Sequence, residues 1–218
     1  MIKSNLRLLF ALIIALLPIV ANCQLATPEG SLSYDVSIHA RSSGKLTGKA
    51  KYYVSWKGAM SRTEMKSSMG TEFSIYDSKS GKGNIFKEYS GQKLMIPLDQ
   101  GQWKEKHENQ QELHFQLQEG AEMKAGRNCR LAVARDSGGR EFTVWYDPTV
   151  IPANLNYDLA FKWIPGLPVC IMLKSAQFEY TYLLSSFQAE SIPMSIFEAD
   201  GKGYRTISYG ELKKMKRE

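Results

Sequence analysis

The chain is poor in the residues that most enzyme chemistry needs. It holds three histidines, His39, His107 and His114, and three cysteines in 218 residues. No His-x-x-x-His or Glu-x-x-His pair is present, so no metal site is expected. No Gly-x-Ser-x-Gly elbow and no Cys-x-x-Cys pair occurs. Ser42-Ser43-Gly44-Lys45 has Ser-x-x-Lys spacing but sits in a turn-rich segment. Ser80-Gly81-Lys82-Gly83 lacks the earlier glycine of a phosphate loop, and no apolar helix follows it. The carboxylates, among them Asp35, Glu64, Asp77, Glu141 and Asp147, are dispersed. The expectation is a protein that is not an enzyme and carries no cofactor.

Long apolar runs are missing too. Leu8 to Leu17 is unbroken and apolar but falls well short of the roughly 20 residues that span a bilayer. Lys3 and Arg7 precede it, Pro18 ends it, and Ala21-Asn22-Cys23 follows. This is the pattern of an export signal over residues 1–23, with one domain expected over 24–218. Val20-Ala21-Asn22-Cys23 also has the form of a lipobox, in which Cys23 is acylated and anchors the protein to a membrane. The mature protein is therefore expected to be periplasmic or secreted, or an outer-membrane lipoprotein held at Cys23, with no transmembrane segment.

Charge of one sign does not dominate. Of the net +6, Lys3 and Arg7 belong to the leader. The basic tail Lys213-Lys214-Met215-Lys216-Arg217 reads as a solvated helix end, and no nucleic-acid partner is expected. Cys129 and Cys170 remain beyond the leader. In an oxidising compartment they read as a disulfide, with two buried free thiols as the alternative.

What the chain does have is period-two alternation. Leu32, Tyr34, Val36 and Ile38 alternate with polar residues, as do Ala50, Tyr52, Val54 and Trp56. Further strands are expected over 60–66, 72–77, 84–89, 92–98, 113–117, 129–135, 141–147, 169–174 and 177–188. Ser90-Gly91 and Asp136-Ser137-Gly138-Gly139 mark hairpins. Lys104 to Gln111 suits a helical turn or loop, and Asn154 to Trp163 a short helix. Ser208 and Glu211 form a capping box before a C-terminal helix. About ten antiparallel strands with one or two short helices predict a mainly β protein, a strongly curved sheet or open half-barrel. The aromatics Trp56, Phe73, Phe115, Trp145, Trp163 and Phe178 are spread over the strands. They are expected either to fill the concave side or to line a hydrophobic groove there.

Several motifs then fall into a familiar order: Gly30, Trp56-Lys57-Gly58 with Arg62-Thr63-Glu64, and Ile75-Tyr76-Asp77. Gly126-Arg127-Asn128-Cys129, Val144-Trp145-Tyr146-Asp147, Pro165-Gly166-Leu167-Pro168, Ile192-Pro193, Phe197 and Gly203-Tyr204 complete it. The chain resembles the small exported envelope proteins that look like LolA and LolB, and, through Gly166-Leu167-Pro168, the GLPGLI-type secreted proteins. The resemblance implies a half-barrel around one or two helices, with a groove that takes acyl chains in the carriers. No residue aligns with the carriers' arginine at the groove mouth, although Arg62 falls at a turn. The expected partner is a lipid or lipoprotein acyl chain. The alternative is a protein-interaction module of the envelope with a filled core.

Overall fold

The computed structural model describes residues 25–107, 113–154 and 161–215. The expected leader, Cys23, and most of the helix expected over 154–163 lie outside these residues.

The alternating segments form strands wherever the pattern is strong. In chain order they are β1 (Leu25–Thr27), β2 (Glu29–Ala40), β3 (Leu46–Lys57), β4 (Met60–Ser67), β5 (Gly70–Asp77), β6 (Lys82–Tyr89) and β7 (Gln92–Leu98). After helix α1 (Gln100–Lys106) come β8 (Gln116–Lys124), β9 (Arg127–Arg135), β10 (Glu141–Asp147), β11 (Val150–Pro152), β12 (Leu167–Lys174) and β13 (Phe178–Gln188). A 3-10 turn (Met194–Phe197), β14 (Arg205–Thr206) and helix α2 (Tyr209–Met215) close the described chain.

Twelve strands make one sheet in the order β14-β7-β6-β5-β4-β3-β2-β13-β12-β10-β9-β8. All neighbours are antiparallel except β14 and β7. The sheet stays open, with β8 and β14 as its edges. β1 and β11 pair separately and in parallel. Turn chemistry sets the hairpins: Ser90 and Gly91 both have positive φ, the twist a two-residue hairpin loop needs.

Register and alternation assign the faces. One face carries Leu32, Tyr34, Val54, Trp56, Val144 and Val169, all 2% exposed or less, in the largest hydrophobic cluster. It continues through Tyr76, Ile85, Ile96 and Leu98, on which both helices pack. Asp99 caps α1 and Gln102 caps it reciprocally, which aims Trp103 at Tyr76; the two rings stack at 4.1 Å. The predicted Ser208–Glu211 box caps α2, with Ser208 N–H donating to Glu211 at 2.7 Å and Glu211 N–H to Ser208 Oγ at 3.2 Å. Leu212 is buried beneath it.

The second face has a buried apolar cluster at Phe73, Ile75, Phe86 and Met95. There residues 192–204 cross it as a strap. Arg62 donates to Ile196 O at 3.1 Å, Lys57 to Ile192 O at 2.9 Å, and the Tyr204 hydroxyl to Glu88. β5 and β6 are thus buried on both faces, which explains their broken alternation.

Candidate functional site

Away from the strap, the second face of β13, β2, β3 and β4 is uncovered. Thr181, Leu183, Asp35, Ser37, Lys49, Lys51 and Lys66 project from it, by the register of these strands. A depression of about 610 Å³ lies there, also lined by Val36, Ala50, Ser67 and Ser68. A second, of about 410 Å³, is lined by Tyr53, Ser55, Arg62, Glu64, Lys66 and Ile196. Lys66 lines both, so the two adjoin along this face, the second nearer the strap, and together they make up a trough.

Leu183 is the large apolar side chain that the first depression exposes, at 42%. Lysines rim it. Asp35 pairs with Lys51 and holds its ammonium above the ordinary range. Lys66 pairs with Glu64 at 3.1 Å and lies over the Tyr53 ring at 5.4 Å. Lys49 has no carboxylate partner among the described residues. Arg62 closes the far end, its guanidinium 4.2 Å above the Phe73 ring. The trough can therefore take apolar surface along its floor and negative charge at its rim.

The titratable groups elsewhere are tied up. Burial raises the Asp147 carboxyl, but bonds from Thr149 and Arg127 outweigh it and hold it below the ordinary carboxylate range. Asp136 is clamped by Arg140 at 2.6 Å. Burial, with Lys106 nearby, pushes His107 down to about 4. Its Nδ1 lies 2.8 Å from Trp103 O. A carbonyl only accepts, so the neutral ring carries its proton on Nδ1. No group of three or more metal-ligating side chains occurs among the described residues.

The aromatics expected to line one groove are dispersed. Trp56 is fully buried, its indole N–H donating to Thr27 O at 3.0 Å. Phe115 and Trp145 are half-buried against the same cluster. Trp145 donates to Glu122 at 2.6 Å and lies beneath Lys124. Phe73 is on the opposite face, stacked on Phe86 at 4.4 Å beside the strap. Phe178 meets Tyr180 edge-on at the start of β13. Trp163 stands 60% exposed.

The expected Cys129–Cys170 disulfide is not formed: both are free, buried thiols. They lie on β9 and β12 with β10 between. Two strand spacings exceed the roughly 7 Å that a disulfide bridges between Cα atoms.

Sequence reasoning missed the trough. One signal was legible: Leu183-Leu184 interrupts the alternation of β13 and sends one leucine to each face. The lysines read as an ordinary solvated face until register placed them around Leu183.

No family model matches the chain, and no curated protein matches it. Among solved structures it is similar to PNGF-II, at 10% identity and a TM-score of 0.47 over 84% of this chain. It is also similar to a LolA superfamily protein from Nitrosomonas europaea, at 12% identity and a TM-score of 0.39, over 82% of this chain and 94% of that one. The Pseudomonas aeruginosa MucA/MucB complex gives 12% identity and a TM-score of 0.42 over 80% of this chain. The chain spans 32% of PNGF-II and 57% of the MucA/MucB chain.

Proposed function

We propose that this is an exported, non-catalytic binding module of the cell envelope, and that it takes an amphiphile, an acyl chain with an anionic head, in the trough on the second face. The observation that carries this reading is the 610 Å³ depression with Leu183 on its floor and Lys49, Lys51 and Lys66 around it. Its size lies within the roughly 300–1,000 Å³ of small-ligand sites. The acyl chain gains about 25 cal/mol per Å² removed from water, and the lysines orient the head. The first face offers less, since Trp56 and Val54 are already packed to 0% exposure. Binding rather than catalysis is supported by Asp147, which is paired with Arg127 and held low, the reverse of a general acid.

Native mass spectrometry of protein purified from the envelope tests this, together with uptake of an apolar dye and its displacement by a long-chain fatty acid. Recovery of ligand-free protein that takes up no dye overturns it.

The packed first face favours a second reading, a protein-interaction module whose trough receives an extended segment of an envelope protein. Crosslinking in cells would then trap one dominant partner, and the lipid assays would stay blank.

A further inference from the structure

Trp163 is the most exposed aromatic side chain of the described residues, at 60%. It sits between Phe161 and Ile164, which are 8% and 3% exposed, so its backbone is pinned while its ring stands in water. Lys162 lies 5.1 Å over that ring. An exposed indole with an adjacent ammonium is the pairing favoured at a membrane–water interface, where the ring sits at headgroup level and the cation meets lipid phosphate.

The topology says which end of the molecule this is. Gly166 lies against Tyr146 and Asp147, at the end of β10, and Leu167 pairs with Asp147. Arg130 pairs with Tyr146 and is exposed. The β8–β9 hairpin, with Met123 63% exposed, turns at the same end. Leu25, where the described chain begins, pairs with Val150 just beyond Asp147. Only Gln24 separates Cys23 from Leu25, two steps of chain that reach at most about 7 Å. Lys162 and Arg130 have no ion-pair partner among the described residues. The first depression lies toward the other end of the strands, around Ser37, Lys49 and Ser68.

We propose that this end of the sheet docks on an anionic bilayer surface, with Trp163 as the interfacial anchor and Lys162 and Arg130 facing the headgroups. Docking this way places the chain's entry at the membrane and leaves the depression around Lys49 toward the far end of the strands. The inference is independent of what the trough holds.

The test uses protein purified from the envelope and vesicles of phosphatidylethanolamine with phosphatidylglycerol, some carrying brominated acyl chains. Trp56 and Trp103 are buried at 0% and 3%, beyond reach of a membrane quencher, and Trp145, half-buried near the same end, is removed by making every measurement in a Trp145→Phe background. Bromolipid should quench a distinct part of the tryptophan emission. Trp163→Ser should abolish that quenching and weaken vesicle binding about tenfold or more, with an unchanged melting curve because the side chain is exposed. Lys162→Glu should weaken binding to these vesicles by about fivefold per unit of charge changed, and leave binding to phosphatidylcholine vesicles unaltered. An acyl group on Cys23 would hold the protein on vesicles by itself, so the quenching decides. No quenching, or quenching that survives Trp163→Ser, overturns the proposal.

Discussion

Gly30 lies directly opposite Trp56 across the β2–β3 pair, and the indole covers the place where a side chain at position 30 would stand. A Cβ there would be 2.8 Å from Trp56 Cζ2 and 2.7 Å from Gln188 O. Both are closer than atoms can come, and one of them is backbone. Gly30→Ala should therefore push the indole off its bond to Thr27 O and cost about 1–3 kcal/mol, the usual range for overpacking. Urea unfolding would read this as a lower midpoint at unchanged slope.

A buried histidine makes stability depend on pH in a defined window. His107 is held near 4, mainly by burial and then by Lys106, against about 6.5 in the unfolded chain. Between these values the unfolded state binds the proton and the folded state does not. Stability is then full above about pH 6.5, falls as pH drops toward 4, and levels below it. The loss is on the order of 3 kcal/mol. His107→Gln should flatten this part of the curve of unfolding free energy against pH. A wild-type curve that is level from pH 6.5 to 4 would show that His107 is protonated in the fold.

Alternation made the long strands legible, because a half-buried sheet writes its two environments into successive residues. β2, β3 and β10 follow their pattern closely, and Ser208 and Glu211 announce α2. Helix α1 was less legible, since its cap is the Asp99–Gln102 box and its one buried residue, Trp103, cannot show periodicity. β8 was placed too early. Leu113 alternates with Phe115 and Leu117, yet it is a buried loop residue, and the strand is an edge exposed almost throughout, with nothing to impose a pattern. The aromatics are dispersed for a related reason. Which face an aromatic occupies follows from register, and Phe73 and Trp56 are separated by it.

The two thiols give a redox prediction. Burial raises Cys129 first, with Asp147 adding to it, and burial raises Cys170. Both should react slowly with a disulfide reagent such as DTNB in the native protein and fully once unfolded. A reducing agent should leave the melting temperature unchanged. A drop in melting temperature on reduction would reveal a bridge that the strand spacing forbids.

Leu183 and Lys49 separate ligand binding from stability. Leu183 is 42% exposed at the trough floor, so Leu183→Asp removes apolar contact and puts a negative charge among three lysines, directly across the strand pair from Asp35. Surface substitutions of this kind usually change stability by no more than about 0.5 kcal/mol. Uptake of an apolar dye should nonetheless be lost. Lys49→Glu leaves the floor intact and alters the rim alone. It should weaken an anionic amphiphile while sparing a neutral dye, and the difference should shrink as salt rises. If Leu183→Asp binds dye as the parent does, the apolar contact lies elsewhere. If Lys49→Glu weakens neutral and anionic ligands alike, the rim shapes the trough rather than reading charge.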